Sequence, residues 1–206
     1  MKIKEIILKS NIVLKEKNIE DSLIKTRILL SYLLNKNKEY LLIHNEDEIS
    51  KEIEEKFFFY LDKIKNNYPI QYITNKQEFM GFEFYVDENV LIPRPDTEIL
   101  VEEVISIINK ENKILDLCTG SGAIGISIGK INSNMQIFLS DISEKALEVA
   151  RKNSEKLEVK TNIIKSNLFE NINEKFDIIV SNPPYIETDV IETLAKDVQN
   201  EPNIAL

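Results

Sequence analysis

The 206-residue chain has few of the residues from which covalent and metal-bound frameworks are built. It contains one cysteine, Cys118, so no disulfide can form within it, which is typical of a protein from a reducing compartment. Its one histidine, His44, has no cluster of cysteines with which to complete a zinc site. No apolar run approaches the roughly 18 residues that a membrane span needs, and Met1–Ile7 lack the apolar stretch of a signal peptide. These absences predict a cytoplasmic protein without a metal or a membrane partner.

Basic charge is also in short supply. The chain has 26 Lys and Arg residues against 35 Asp and Glu residues, which leaves a formal net charge of −9. An acidic chain is poorly matched to a phosphate backbone, so direct binding to nucleic acid is not expected. The hydrophobic fraction of 43% suits one domain of ordinary size together with a smaller one.

Glycine and proline are missing from the first third, which has no Gly before Gly81 and no Pro before Pro69. Two stretches carry apolar residues near helical spacing, and Asp21 or Ser22 is a candidate N-cap for the first. The apolar residues are Leu23, Ile24, Leu29, Leu30, Leu33 and Leu34 in the first stretch, and Ile53, Phe57, Phe58, Leu61 and Ile64 in the second. The pattern predicts a small helical bundle over residues 1–70, with short polar connections such as residues 35–38.

The composition and the residue pattern change after Pro69. Alternating and aromatic residues from Gln77 to Ile92 predict a β-hairpin whose turn lies at Asp87–Asn89. Residues 71–92 are therefore expected to form a hairpin linker.

A stiff segment follows, because prolines flank Arg94 on both sides. Asp96 or Thr97 is placed to cap a helix that runs from Glu98 to about Asn109. Two roles stay open for Arg94 and Glu98: they organise the entrance of a crevice, or they form an ion pair between domains.

From Asn112 onward, short apolar strands alternate with helical stretches. The predicted strands are Ile114–Leu117, Met135–Ser140, Asn162–Lys165 and Phe176–Val180, and the predicted helices are Ala123–Ile131 and Ser143–Lys156, the latter with Ser143 as its N-cap. This alternation predicts an α/β domain over residues 93–206, built on a parallel, doubly wound sheet.

A glycine-rich loop joins the first of these strands to its helix. Gly120, Gly122 and Gly125 have the spacing of a dinucleotide-binding fingerprint. Glycine lets the backbone approach a ligand closely, and the helix N-terminus offers free N–H groups to an anionic group. Asp141 ends the second strand roughly 20 residues downstream, where a carboxylate binds the hydroxyls of a ribose. The loop predicts a nucleoside-bearing cofactor, and leaves open whether it is a dinucleotide or S-adenosylmethionine.

The fourth predicted strand runs into Ser181-Asn182-Pro183-Pro184-Tyr185. Strand ends of a parallel sheet share one edge, so Asn182 is expected to face the same crevice as Gly120 and Asp141. The side-chain oxygen of Asn182 and the carbonyl of Pro183 can accept hydrogen bonds from an NH₂ group and direct its lone pair at a methyl donor. Proline holds these acceptors in place, and Tyr185 can pack on a planar group. The motif predicts methyl transfer from S-adenosylmethionine to an amide or amine nitrogen, with Asn182, Pro183 and Tyr185 as the catalytic residues and Pro184 as a further substrate contact.

In these features the chain resembles the peptide chain release factor glutamine methyltransferases of the HemK/PrmC type. The matching segments are 69–73, 79–84, 92–98, 116–122, Asp141, 181–185, Glu201-Pro202 and Ala205-Leu206. The segment Pro93-Arg94-Pro95-Asp96-Thr97-Glu98 is highly specific to this family. Cys118 departs from the pattern, since the family usually has glycine there, and we interpret it as a small buried residue and not as a catalytic thiol.

The resemblance implies a Rossmann-like class I S-adenosylmethionine methyltransferase domain, with a helical domain before it that docks a release factor. It implies methylation of the glutamine amide nitrogen in that factor's Gly-Gly-Gln loop. The cofactor contacts that it implies are Thr119, Gly120, Ser121, Gly122, Asp141 and Asn182, with others at Asn167 and Leu168.

The family's sheet has seven strands, whereas the sequence predicts four. We therefore expect the C-terminal strands to be missing from this chain, which leaves the fourth strand at an edge and favours self-association. Two other functions stay open. Adenine-type nucleic-acid amines suit the same Asn-Pro-Pro-Tyr motif, and a chain without its last strands could be an inactive fragment that only binds a cofactor or a partner.

Overall fold

The computed structural model describes residues 1–108, 111–187 and 190–206. The chain divides into two compact units, Met1–Thr74 and Asn75–Leu206. Within the described ranges, no helix is both long and apolar enough to cross a membrane.

The first unit is helical, as the sequence predicts. Its helices are α1 (Ile3–Glu16), α2 (Ser22–Leu34), α3 (Lys38–Ile43), α4 (Lys51–Lys65) and α5 (Ile70–Thr74). In α4, the Ser50 hydroxyl accepts a hydrogen bond from the Ile53 N–H, with acidic residues in the first turn and basic residues in the last, which suits the helix dipole. Leu29 and Phe57 lie fully buried in the core of this unit.

Two details of the predicted helices differ in the structure. Asp21 is the N-cap residue of α2, one of the two predicted positions, but its backbone is left-handed, with φ of 52°, and its side chain makes no capping hydrogen bond. Ser22 does not cap the helix either, since it is the first helical residue and its hydroxyl donates to Asn11 Oδ1 at 2.6 Å. Ile24 was assigned to the apolar face, but its side chain is 52% exposed.

The hairpin of the second unit turns earlier than the sequence predicts. Its strands are β1 (Gln77–Phe79) and β2 (Phe82–Phe84), joined by Met80 and Gly81. Both of these residues have positive φ, 53° and 74°, as a two-residue hairpin turn requires. The predicted turn at Asp87–Asn89 is wrong as a hairpin turn: it is a separate turn in which Asp87 Oδ1 accepts from the Asn89 N–H. Asp and Asn are typical turn residues, so the sequence favoured a turn at Asp87–Asn89 over one at Met80 and Gly81.

The stiff segment after the hairpin leads into a helix, as predicted. Pro95–Thr97 forms a short 3-10 turn and α6 spans Glu98–Ile107. Thr97 is the N-cap residue, one of the two predicted positions, but its side chain makes no capping hydrogen bond. Asn109, the predicted end of the helix, lies outside the described residues.

The parallel α/β sheet is confirmed. Its elements are β3 (Lys113–Leu117), α7 (Ala123–Ile131), β4 (Gln136–Asp141), α8 (Glu144–Lys156), β5 (Thr161–Lys165) and β6 (Ile178–Ser181). The strand order is β5-β4-β3-β6, and every pairing is parallel. The chain moves outward from β3 to β5 and then returns to add β6 on the other side of β3. The order of the strands therefore reverses at β3, and such a reversal opens a crevice at the carboxyl ends of the strands.

Each face of this sheet has its own apolar cluster. Residues of α6, α7 and α8 share one cluster with Ile114, Ile137 and Leu139. On the other face, Leu115 and Phe138 belong to a smaller cluster with Ile172 and Phe176. Helices α6, α7 and α8 therefore lie on one face, so the predicted double winding, with helices on both faces, is not seen among the described residues. The alternation along β3 and β4 matches the period of a strand.

Helix α7 lies very close to the sheet because two of its residues have no side chain. A Cβ added at Gly125 would lie 2.5 Å from Leu139 and 3.0 Å from the Cβ of Asp116. At Gly129 it would lie 2.9 Å from Ile137 and 2.7 Å from Val159. These distances are too short for a side chain, so glycine at both positions lets the helix backbone approach the strands.

Candidate active site

The carboxyl ends of three strands meet at one pocket in the second unit. Leu117 at the end of β3 pairs with Ser140 of β4 on one side and with Ser181 of β6 on the other. The residues that follow these strand ends, Cys118, Asp141 and Asn182, consequently lie around one pocket. Its empty volume is about 770 Å³, a figure that includes open solvent at its mouth. The predicted residues in its lining are Thr119, Gly120, Ser121, Asp141, Asn182 and Pro184.

The glycine loop is a tight turn fixed by backbone hydrogen bonds. Cys118, Gly120 and Gly122 all have positive φ, of 59°, 54° and 82°. The Thr119 N–H donates to the Ser140 carbonyl at 2.9 Å, which ties the loop to the end of β4. A Cβ added at Gly120 would meet no atom within 4 Å, so this part of the loop faces open space.

Asp141 connects the glycine loop to the start of α8. Its Oδ2 accepts from the Gly120 N–H and its Oδ1 from the Ser143 N–H, each at 2.9 Å. Ser143 caps α8 as predicted, since its hydroxyl accepts from the Ala146 N–H. Each oxygen of an ionised carboxylate can accept more than one hydrogen bond. Asp141 therefore keeps acceptor capacity at the pocket wall, where hydroxyl groups of a ligand could donate to it.

Asp116 is a carboxylate beneath the loop to which sequence reasoning gave no role of its own. It is fully buried, and its Oδ2 accepts from the Thr119 hydroxyl at 2.6 Å and from the Gly125 N–H at 2.9 Å. Burial raises the pKa of Asp116 to about 6, against the lowering effect of these two donors. Its Oδ1 has no hydrogen-bond partner among the described residues. A single Asp in an otherwise apolar strand could have indicated a special role for this residue. The structure shows that its hydrogen bonds to Thr119 and Gly125 hold the loop in place.

The Asn-Pro-Pro-Tyr corner lies between two adjoining pockets. Asn182 lines both of them, whereas Pro183 and Tyr185 line only the neighbour of the glycine-loop pocket. The Nδ2 of Asn182 lies 3.5 Å from the Thr97 hydroxyl, at the long limit of a hydrogen bond. Tyr185 is 79% exposed, so its ring is available to a partner.

The same corner is held from behind by the last residues of the chain. The N–H groups of Tyr185 and Ile186 both donate to the Leu206 carbonyl, at 3.0 and 2.9 Å. Ile204 and Ala205, which precede Leu206, line the glycine-loop pocket.

Arg94 and Glu98 have partners within the second unit. The Arg94 guanidinium pairs with Glu201, whose other oxygen accepts from the Ile92 N–H at 2.9 Å. Glu98 accepts from the Met80 N–H at 2.6 Å. Arg94 lines both pockets, so of the two roles left open the structure favours the crevice entrance. Glu201 was missed as a functional residue, because nothing local in the sequence reveals a partner 107 residues away.

Burial raises the pKa of the Glu201 carboxyl, while the donors from Ile92 and Arg94 lower it. Burial also raises the pKa of the Cys118 thiol, and the nearby Asp141 raises it further. A raised pKa keeps the thiol protonated and unreactive. This agrees with the interpretation of Cys118 as a structural residue, although it is only half-buried at the pocket wall.

Three of the predicted cofactor residues do not line the glycine-loop pocket. Gly122 lies behind it, where an added Cβ would come within 2.5 Å of Ile126. Asn167 donates to Glu170 Oε1, and Leu168 is 52% exposed. Contacts of Asn167 and Leu168 with a cofactor stay a prediction.

Comparison with known proteins assigns a family to both units. Residues 5–74 match the family model described as the PrmC N-terminal domain, and residues 95–200 match the model described as the methyltransferase small domain. A release factor glutamine methyltransferase of Clostridium acetobutylicum is 47% identical over 214 residues, which cover all of this chain and 75% of that protein. The chain belongs to the release factor glutamine methyltransferase family. The resemblance noted from the sequence is therefore confirmed, as is the class I methyltransferase fold.

Other members of the family match over similar lengths. The release factor glutamine methyltransferase of Clostridium botulinum is 43% identical across the whole chain and 76% of its own length. That of Borreliella burgdorferi is 42% identical across 89% of this chain and 65% of its own length. The chain thus spans about three quarters of the length of its Clostridium relatives.

Proposed function

We propose that this chain transfers a methyl group from S-adenosylmethionine to the side-chain amide nitrogen of a glutamine in the Gly-Gly-Gln loop of peptide chain release factors. One observation supports this most directly: Asn182 lines the same pocket as Gly120 and Asp141. Asn182, which can bind an amide, therefore lies in the same pocket as Gly120 and Asp141, which suit a nucleoside. Membership of the family and the names of its members support the choice of substrate.

The residues of the pocket fit the cofactor. Asp141 has acceptor capacity for the ribose hydroxyls, and Gly120 faces open space. Val90, Ile142 and Ala146 add apolar surface to the lining, against which a flat base could pack. When bound, S-adenosylmethionine supplies an electrophilic methyl group on a positively charged sulfur.

In this proposal Asn182 binds and orients the substrate amide. If its Nδ2 faces the Thr97 hydroxyl, its Oδ1 is left to accept a hydrogen bond from the substrate NH₂. This hydrogen bond, and a second to the Pro183 carbonyl, would aim the nitrogen lone pair at the methyl carbon. With the cofactor bound, the methyl group would pass from the sulfur to the nitrogen that Asn182 orients, and the nitrogen would release its proton to solvent during or after the attack. Orientation and electrostatics supply the catalysis, and no strong base is needed.

We assign substrate contacts to Pro183, Pro184 and Tyr185, all of which are exposed at the corner. The ring of Tyr185 offers a flat surface for the planar amide. We also propose that the helical unit docks the release factor and that the second unit catalyses the reaction. The predicted boundaries at residues 70 and 92 move, because α5 (Ile70–Thr74) belongs to the first unit and the hairpin belongs to the second. The exposed side chains of Ile43 and Phe59, at 78% and 61%, support a docking role for the helical unit. A single free thiol supports a cytoplasmic location, where thiols stay reduced.

The test is methyl transfer from labelled S-adenosylmethionine to a purified release factor by the full chain. The control substrate is the same release factor with the loop glutamine replaced by alanine. Label on the wild-type factor and none on the control supports the proposal. Label on DNA but not on the release factor would identify the adenine-type alternative, and cofactor binding without transfer would identify a binding fragment.

A further inference from the structure

The side chain of Asn153 is buried, and neither the glycine loop nor the Asn-Pro-Pro-Tyr corner includes it. It lies on α8, has no exposed surface and bonds to backbone atoms of two distant segments. Its Oδ1 accepts from the Tyr85 N–H at 2.7 Å. Its Nδ2 donates to the Tyr85 carbonyl and to the Ser121 carbonyl, each at 2.9 Å.

These contacts determine the orientation of the amide. The Tyr85 N–H is a donor, so it must face the oxygen of Asn153 and not its nitrogen. Both hydrogens of Nδ2 are then used, one on each carbonyl. The side chain pairs with Tyr85 as a neighbouring strand would, and adds one hydrogen bond to the glycine loop.

The two segments that Asn153 joins form two walls of the pocket. Ser121 belongs to the glycine loop, and Tyr85 leads directly to Asn89, Val90 and Leu91, which line the pocket from another side. Asn153 thereby connects the two walls through hydrogen bonds.

The rest of α8 supports the same arrangement. Ala146, Ala150 and Asn153 follow one another at helical spacing and so share one face of the helix. Ala146 lines the pocket, and the Cβ of Ala150 lies 3.3 Å from the Cβ position of Gly122. The loop is therefore packed against α8 at Ala150 and hydrogen-bonded to it at Asn153.

We propose that Asn153 is a positioning residue for the cofactor, which holds the Ser121 carbonyl and the Tyr85 segment at the separation that the nucleoside of S-adenosylmethionine requires. This rests on the proposed function, because it assumes that cofactor. The proposal concerns only the cofactor side of the pocket. It therefore predicts that a change at Asn153 alters the affinity for the cofactor and leaves the affinity for the release factor almost unchanged.

The test compares Asn153→Leu and Asn153→Asp with Ser154→Ala in the full chain. Leucine has a similar size but no hydrogen bonds, and aspartate keeps the acceptor for Tyr85 while losing both donors. Ser154 is the matched control, because it is the next residue on α8, is buried, and bonds to Val159 and Thr161 instead of the loop. The measurement is calorimetric titration with S-adenosylhomocysteine, together with the KM for the release factor.

We expect the Kd for S-adenosylhomocysteine to rise on the order of tenfold in both Asn153 variants and to change less than about twofold in Ser154→Ala. The KM for the release factor should stay within about threefold of the wild type, which a general loss of structure would not allow. An unchanged Kd in a folded Asn153 variant overturns the inference. If the wild type itself binds no S-adenosylhomocysteine at millimolar concentration, it is the proposed function that fails.

A second measurement does not depend on whether the variants fold. In the wild-type chain, hydrogen exchange of the Tyr85 amide should slow when S-adenosylhomocysteine binds, because its acceptor on Asn153 is coupled to the loop. Slowing at the loop with none at Tyr85 overturns the inference.

Discussion

The guanidinium of Arg94 forms an ion pair with the carboxylate of Glu201, a residue 107 positions further along the chain. The Glu201 side chain is 2% exposed and that of Arg94 39%, so the pair has one buried end and one end near solvent. It joins the proline-flanked segment at the pocket to the segment that ends in Leu206. The Asn-Pro-Pro-Tyr corner donates to Leu206, so the ion pair supports the corner indirectly.

Replacing Glu201 should therefore weaken both stability and activity. In Glu201→Ala the Arg94 charge and the Ile92 N–H lose their partner, and we expect the free energy of unfolding to fall by about 2 kcal/mol. Glu201→Gln can still accept from the Ile92 N–H and should lose less. Urea unfolding of both variants, together with Arg94→Met and the double variants, measures the coupling, which we expect to be about 1 kcal/mol. Additive effects would show that the pair contributes nothing.

Asn182→Ala should affect turnover more than cofactor affinity. The variant removes an acceptor that binds the substrate amide in the proposed transition state, and loss of one such group commonly lowers kcat on the order of 10²–10³-fold. The Kd for S-adenosylhomocysteine should change by less than about fivefold, since Asp141 and the loop remain. Steady-state kinetics and calorimetry give the two values. A loss of affinity as large as the loss of kcat would place Asn182 on the cofactor alone.

Cys118 has a left-handed backbone, which disfavours a Cβ. A glycine at this position should give a more stable protein than an alanine does, whereas alanine is usually the more stabilising of the two. Cys118→Gly and Cys118→Ala both remove the thiol, so the difference between them isolates the Cβ. We expect the glycine variant to be more stable by about 1 kcal/mol in urea unfolding. A more stable alanine variant would mean that the strain at Cys118 is negligible.

Asp116 should make stability depend on pH in the opposite direction to an ordinary salt-bridged carboxylate. Its folded pKa of about 6 lies above the ordinary value of 3.8, so the folded state binds its proton more tightly. The stabilisation that comes from binding this proton is fully present below pH 3.8 and is lost as the pH rises through about 6. The Asp116→Asn variant has no such proton to lose, so its stability does not fall in this way.

The stability of Asp116→Asn relative to the wild type should therefore rise between pH 4 and pH 7, by about 2 kcal/mol. Urea unfolding of both proteins at intervals of one pH unit gives this difference, and groups common to both cancel. A difference that stays constant with pH would show that Asp116 ionises at its ordinary pKa.

The strand β6 pairs with β3 alone among the described strands, and Ile179 on it is 51% exposed. We expect the chain to self-associate through this edge, because an apolar strand with an unpaired side is a template for another. Light scattering after size exclusion should show a mass that increases with concentration, and Ile179→Lys should reduce the increase. A monomer at every concentration contradicts this expectation.

Much of the second unit could be predicted because its signals are local. The alternation of apolar strands and helices gave α7 with the bounds that the structure shows, and the other elements within a few residues. The meeting of Gly120, Asp141 and Asn182 followed from a rule of topology, since strand ends share one edge.

The features that were missed depend on partners distant in sequence. Asn153 looks like any polar residue on an amphipathic helix, and Glu201 like any acid before a proline. Their hydrogen bonds join residues 68 and 109 positions apart, to Tyr85 and Ile92. No periodic pattern encodes such pairs. The position of the hairpin turn was missed for a different reason, because methionine rarely adopts positive φ and gave no turn signal.

The two side-chain-free contacts of α7, at Gly125 and Gly129, have a consequence for how the protein can vary. They lie about one helical turn apart and press the helix backbone onto β3 and β4. Neither position has room for a side chain, and the other residues from Ala123 to Ile128 are buried as well. Most positions of α7 should therefore tolerate little change, and variation in this helix should be confined to its exposed last residues, Lys130 and Ile131.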